Sequence, residues 1–250
     1  MLEPLIISAM SDRDAFWMDQ ALSLAEQALY ITTPNPRVGC VLVSPLGQSI
    51  GQGHTPAVGQ AHAEVMALQQ ARQAGHDTRG ATAYVTLEPC SHHGRTPPCC
   101  DALIQAQVAR VVISVQDPNP LVAGQGMARL RAAGIEVTLG VGQARAQELN
   151  IGFFKRMQTG LPWVRMKVAA SMDGQTSLSN GVSQWITGPA ARQDGHHWRA
   201  RACAVLTGVG TVLQDNPLLD VRMVATPRQP PLVVVDSQWQ TPLNAALWGP

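Results

Sequence analysis

Residues 81–115 read ATAYVTLEPCSHHGRTPPCCDALIQAQVARVVISV. The segment 81–87, rich in Thr, Val and Tyr, predicts a strand. Residues 88–98 hold Pro, Cys and His and predict a loop; 100–106 predict a helix and 110–115 a second strand. Strand, loop, helix and strand in succession form one unit of an α/β fold. The reading extends outward in both directions. Residues 14–30 place Trp17, Ala21, Leu24, Ala25, Ala28 and Leu29 on one helical stripe, ended by Pro34 and Pro36. Residues 38–44 (VGCVLVS) predict a buried strand, a turn follows at Pro45-Leu46-Gly47, and 49–54 predict its hairpin partner. Residues 63–73 predict a helix closed by Gly75, 126–133 another, and 135–139 a further strand. The alternation implies a mostly parallel sheet in an α/β sandwich. Residues 143–154 predict one helix leading out of this unit. Gly160-Leu161-Pro162 marks a boundary, after which strand 163–169, helix 190–201 and strands 204–207 and 232–235 repeat the pattern. Two domains follow, 14–150 and 160–250.

Composition agrees with that frame. The chain has 250 residues, 45% hydrophobic and 14% charged, with a formal net charge of +1. Cores of normal size are available and nothing suggests disorder. A nearly neutral chain carries no electrostatic footprint for nucleic acid or acidic membrane. The apolar run 5–10 is short and is followed at once by Asp12, Arg13 and Asp14, so it does not read as a signal peptide, and Met10 is a candidate start. No stretch approaches the ~20 apolar residues that span a bilayer. The expectation is a soluble, cytoplasmic protein. The cysteine count of five is odd, and Cys90, Cys99 and Cys100 cluster beside His92 and His93. This is the pattern of metal or thiol chemistry in a reducing compartment rather than of a disulfide framework.

His62-Ala63-Glu64 followed by Pro89-Cys90 and Cys99 carries the chemistry. Zinc deaminases combine H-x-E with P-C-x-x-C; here eight residues separate the two cysteines. One imidazole and two thiolates suit Zn²⁺ and leave a fourth tetrahedral position for a water. The metal lowers the pKa of such a water from ~15.7 toward ~7. Glu64 would take its proton and hand it to the ring nitrogen and then to the leaving ammonia. In a regular helix residues i and i+2 stand about 200° apart, so His62 and Glu64 converge only if they straddle a helix start. The competing reading is a structural zinc knuckle closed by His92 or His93. Cys100 reads as a packing thiol, and Cys40 and Cys203 as core residues.

His62-Ala63-Glu64-Val65, TLEPCSHHGRTPPC (86–99) and QDPNP (116–120) closely resemble the bacterial bifunctional riboflavin-biosynthesis deaminase/reductase family. The resemblance runs from about Asp14 to the last residue. It implies a cytidine deaminase-like three-layer α/β/α domain followed by an incomplete dihydrofolate reductase-like domain. The implied substrate is a pyrimidine ribonucleotide, 2,5-diamino-6-(5-phosphoribosylamino)-4(3H)-pyrimidinone, deaminated and then reduced from ribosyl to ribityl with NADPH. His62, Cys90 and Cys99 match the family's zinc ligands and Glu64 its proton donor. Asn35, within NPRVG, and Asp117 and Asn119 fall at the pyrimidine pocket.

In the second domain the resemblance rests on KVAASMDG (167–174), SQWITG (183–188), WRA (198–200), GTVLQDNPLLDVR (210–222) and VVDS (234–237). Ala169, Trp185, Thr211, Asp215 and Ser237 fall on the family's NADP contacts. Ser183, Arg199, Leu219 and Arg222 fall on its substrate contacts, where an arginine fork suits a sugar phosphate. The chain departs from the family in several places. Leu232 and Gln240 stand where arginine is usual, Thr55 where histidine is usual (with His54 adjacent), and Cys203 where aspartate is common. The family's Glu-x-Gly-Pro loop, a phosphate cradle, lies beyond Pro250, so the second domain is expected to be the N-terminal part of a reductase, either a fragment or a degenerate version. A homo-oligomer is a possible assembly.

Overall fold

The computed structural model describes residues 12–57, 59–92 and 97–249. The expectations about residues 1–11, including Met10, and about His93 lie outside the described residues. The chain divides into two compact units, Met1–Trp163 and Val164–Pro250.

In the first unit α1 (Asp12–Glu26) leads to the hairpin β1 (Gly39–Val43) and β2 (Ser49–His54). Then come α2 (Ala63–Gln73), β3 (Thr82–Val85), α3 (Cys99–Gln105), β4 (Arg110–Ile113), α4 (Gln125–Ala132), β5 (Glu136–Leu139), α5 (Gln143–Leu149) and α6 (Ile151–Thr159). The strands form one sheet in the order β2-β1-β3-β4-β5. The sheet is mixed, not mostly parallel as expected. β1 is antiparallel to both β2 and β3, whereas β3, β4 and β5 run parallel. The reason is topological. The crossover through α2 returns the chain in the direction of β2, but β3 docks beside β1, which runs the opposite way.

Side-chain alternation sorts the strands onto two faces. Cys40, Leu42, Ala83, Val85, Val111 and Ile113 pack against Ala67, Leu68, Leu103, Met127 and Leu130 of α2, α3 and α4. Val41, Val43, Tyr84 and Val112 pack against Met18, Ala21 and Leu22 of α1, Ala146 of α5 and Phe154 of α6. The result is helix, sheet, helix, and β1 is buried along its whole length. Asp14 ties α1 to this sheet: it accepts from Tyr84 Oη at 2.9 Å and takes the Arg110 guanidinium bidentately at 2.8 and 2.9 Å.

The helix expected over 143–154 is two helices. Asn150 separates them, and its fully buried side chain is used elsewhere. Its Oδ1 accepts from Arg37 N at 2.8 Å and its Nδ2 donates to Arg37 O at 2.9 Å.

The second unit contains α7 (Pro189–Arg201), β6 (Val205–Gly208), α8 (Val209–Asp215), β7 (Leu232–Val235) and a 3-10 turn at Ala246–Trp248. β6 and β7 form a two-stranded parallel sheet. The strand expected over 163–169 is not formed. The segment pairs with no strand among the described residues, and a strand exists only through its partner's hydrogen bonds. Helix α8 was not anticipated. Cys203, expected in the core, is exposed. No described helix is long and apolar enough to cross a membrane.

Candidate active site

Two helix N-termini and one loop build the site. His62 is the N-cap of α2, with φ −70° and ψ 165°, so its side chain leaves the chain before the helix begins. Glu64, in the first turn, can then point the same way. The placement of α2 depends on glycines in β2. A Cβ on Gly53 would stand 2.3 Å from Ala63 O and 2.8 Å from Ala67 N, so only glycine lets the first turn of α2 lie this close to the sheet. Cys99 opens α3, and Cys90 sits in the loop after β3. Helix N-termini favour thiolates and carboxylates.

His62 Nδ1, Cys90 Sγ and Cys99 Sγ all lie within 4.8 Å of one another. His62 Nδ1 is 3.2 Å from Cys99 Sγ and 3.6 Å from Cys90 Sγ. Tetrahedral ligands about 2.1 Å (N) and 2.3 Å (S) from one zinc stand roughly 3.5–3.8 Å apart, so the donor set fits that ion in kind, and the His62–Cys90 separation matches while His62–Cys99 is somewhat closer. Cys99 is buried, Cys90 half-buried, and His62 exposed to the cavity side. His92, one of the two residues that could close a structural site, lines the cavity but is not part of the metal-ligating group found among the described residues, and His93 lies outside them.

The electrostatics follow from this crowding. Cys90 has its pKa lowered to about 4, chiefly by the hydrogen bond from Cys99 and then by His62. Cys99 is pushed upward by the same bond and then by burial. His62 is raised by its hydrogen bond to Cys90. Glu64, 4% exposed, is raised by burial and then by the Cys90 charge. A raised carboxyl beside a metal site is what a proton carrier near neutral pH needs.

The cluster lies at one side of a cavity of about 610 Å³, a size suited to a small-molecule ligand. Asn35, Asp117 and Asn119 edge it. Two of them are partly engaged locally: Asp117 Oδ1 accepts from Asn119 N at 2.8 Å, and Asn119 Oδ1 from Leu121 N at 3.1 Å. Burial pushes the Asp117 carboxyl upward. Several lining residues were not anticipated. Phe153 and Met157 of α6 supply an apolar wall, and Glu88 reaches the cavity with a buried carboxylate. A polar residue in the middle of TLEPC, where a strand runs out, was the available signal for Glu88. Cys100 packs as expected, its thiol donating to Pro89 O at 3.3 Å.

In the second unit the expected contact residues gather less. Ser183 Oγ donates to Asp215 Oδ1 at 3.4 Å. Arg199 donates to Asp220 O, Arg222 N donates to His196 Nδ1 at 3.3 Å, and Arg222 also pairs with Asp220. Burial and the neighbouring Arg222 lower the Arg199 pKa. Leu219, between them, has a left-handed φ of 54°. The Trp185 ring lies 4.5 Å from the Arg192 guanidinium. Thr211 and Ser237 are exposed and Ala169 half-buried; Thr211 and Asp215 stand four residues apart on α8.

Comparison with known proteins bears on both units. Residues 11–115 match the cytidine and deoxycytidylate deaminase zinc-binding region, and residues 162–249 match the RibD C-terminal domain. Riboflavin biosynthesis protein RibD of Escherichia coli (strain K12) is 52% identical over 238 residues, covering 90% of this chain and 64% of that protein. A crystal form of Acinetobacter baumannii RibD superposes with a TM-score of 0.86 at 52% identity, covering 95% of this chain and 67% of that one. The chain belongs to the RibD family. A second RibD-type structure, the Thermotoga maritima deaminase/reductase, gives the same TM-score of 0.86 at 42% identity. The chain spans just under two thirds of the length of the curated RibD proteins it matches, 64% and 63% for the Escherichia coli and Haemophilus influenzae proteins. The fold class is therefore a cytidine deaminase-like α/β domain joined to a RibD reductase-like α/β unit.

Proposed function

We propose that the first unit is a zinc-dependent deaminase of riboflavin biosynthesis. It would hydrolyse 2,5-diamino-6-(5-phosphoribosylamino)-4(3H)-pyrimidinone to 5-amino-6-(5-phosphoribosylamino)uracil and ammonia. One observation carries this reading: His62, Cys90 and Cys99 present their ligand atoms to one point beside the buried Glu64, at the side of a cavity edged by Asn35, Asp117 and Asn119. These three ligands would hold the ion. When bound, zinc supplies the Lewis acidity that makes water nucleophilic at neutral pH. The rest falls to the chain. Glu64, raised by burial, carries the two protons of the attacking water in turn as carboxylate, the first to the ring nitrogen and the second to the leaving amine. Loop amides at Asn35 and Asn119 offer donors and an acceptor to the heterocycle's edge. Phe153 and Met157 keep that side of the cavity apolar and limit water. The two sulfurs must stay reduced, which accords with a cytoplasmic location.

The second unit is the RibD reductase part, and the reading assigns it the NADPH-dependent conversion of ribosyl to ribityl. Ala169, Trp185, Thr211, Asp215 and Ser237 are its candidate cofactor contacts. Self-association is part of the proposal only as a state to be measured, by sedimentation.

The test is ammonia release from the diaminopyrimidine nucleotide with and without NADPH. The reading expects release in both conditions and a fall of about 10²-fold or more for Glu64→Ala, the scale of a general acid–base group. Absence of ammonia release from zinc-loaded protein would overturn it.

A further inference from the structure

Glu88 is the buried charged residue nearest the site that the reaction above does not use. It lies two positions before Cys90, is 5% exposed, and its carboxylate takes three backbone N–H groups from a different part of the chain. Oε2 accepts from Asp117 N at 3.1 Å and from Gly124 N at 2.9 Å. Oε1 accepts from Met127 N at 3.1 Å. Gly124 is the N-cap of α4, in a left-handed conformation and without a side-chain cap of its own. Glu88 therefore caps α4 from a distance, placing a negative charge where the helix N-terminus favours one. The fit is close. A Cβ on Gly126 would meet Pro89 O at 2.1 Å and Glu88 Cγ at 3.1 Å, so α4 presses directly on the Glu88–Pro89 backbone.

We propose that Glu88 is a positioning residue for the deamination, fixing the distance between the metal wall and the substrate-recognising edge formed by Asp117 and Asn119. This rests on the deaminase reading above. The Cys90 loop and the Asp117 loop are joined through this carboxylate, so it acts on the substrate through residues 117–119. The metal end has other holds: Cys100 N donates to Cys90 O at 3.2 Å, Cys99 N to Cys90 Sγ at 3.3 Å, and Arg129 Nη1 to Ser91 O at 3.1 Å. Loss of the Glu88 contacts should therefore disturb substrate placement before it disturbs the metal.

Glu88→Gln is nearly isosteric, but its amide keeps one acceptor oxygen and must turn an NH₂ toward at least one of the three donors. The experiment measures zinc content and steady-state deamination for the wild type, Glu88→Gln, Asn119→Ala and the double variant. The expected result is full zinc content, with KM for the diaminopyrimidine nucleotide raised about tenfold or more and kcat within about threefold. In the double variant Glu88→Gln should add no more than about twofold to the loss from Asn119→Ala, because both act on one edge. If Glu88→Gln does not fold, Glu88→Asp, which retains the charge and withdraws it by one methylene, is read in the same way. Unchanged KM, a fall in kcat alone, or losses that multiply in the double variant overturn the proposal while leaving the deaminase reading intact. A wild-type protein that releases no ammonia removes both.

Discussion

The two units treat their sheets differently. In the first, helices cover both faces and all five residues of β1 are buried. In the second, β6 and β7 pair, and Leu232 and Val234 of β7 pack against Val212, Ala245 and Leu247. Their other face leaves Leu206 68%, Val233 44% and Val235 57% exposed. The difference matters for chemistry. A catalytic constellation works only when each member is held by packing on several sides. His62, Glu64, Cys90 and Cys99 come from three segments clamped onto one closed core. Of the residues expected to contact NADP in the second unit, Trp185, Thr211, Asp215 and Ser237 are exposed and Ala169 half-buried, and Asp215 accepts from Ser183, an expected substrate contact.

Substitutions can break or sharpen this contrast. The largest effect is expected from Leu103→Ala, which removes a fully buried side chain of α3 directly behind Cys99. It should destabilise the first unit by about 2–5 kcal/mol, read by chemical denaturation. Next comes Gly53→Ala. The added methyl must displace the first turn of α2, so a loss of about 1–3 kcal/mol is expected together with weaker zinc retention. If zinc affinity is untouched, the dependence of His62 and Glu64 on this close approach is refuted.

A smaller effect is expected at Tyr84→Phe, which removes the hydroxyl donated to Asp14 and should cost about 1 kcal/mol. Its pH dependence is the sharper readout. Burial, and then Asp14, raise the Tyr84 pKa to about 12. The folded state thus favours the neutral phenol, and this contribution is complete below about pH 10, the unfolded value, and is lost as pH rises toward 12. The wild type should lose stability over that alkaline window more steeply than Tyr84→Phe; equal slopes would count against the buried hydroxyl. The smallest effect is expected from Leu206→Ala on the bare face of β6, within about 0.5 kcal/mol. A cost like that of Leu103→Ala would mean that this face is covered in solution, and the contrast between the units would fail.

What the sequence disclosed follows the same physics. Periodicity is local, so β2 and α2 were legible to the residue and most of the first unit's other elements nearly so, whereas α1 ends at Glu26 instead of Tyr30 and 143–154 divides into two helices. The metal group was legible because few residue types bind zinc and the H-A-E and Pro-Cys runs are short. Long-range hydrogen bonding was not. Asn150 looks like one more helix residue until its amide is seen paired with the backbone of Arg37, far away in the chain. Glu88 looks like a loop carboxylate until α4 arrives to use it. The antiparallel setting of β1 against β3 depends on which strand β3 docks beside, and the apolar pattern is the same either way. At residues 163–169 the strand pattern is present, but Val164, Met166 and Val168 remain 78%, 85% and 57% exposed; propensity alone does not supply a partner.

The central claim is a zinc ion held by one imidazole and two thiolates with one position left for water. X-ray absorption at the zinc edge of the purified protein tests it most directly. The account predicts one zinc per chain, with two sulfurs at about 2.3 Å and one nitrogen and one oxygen at about 2.0–2.1 Å. A site saturated by four protein ligands, or protein that takes up no zinc, would contradict it.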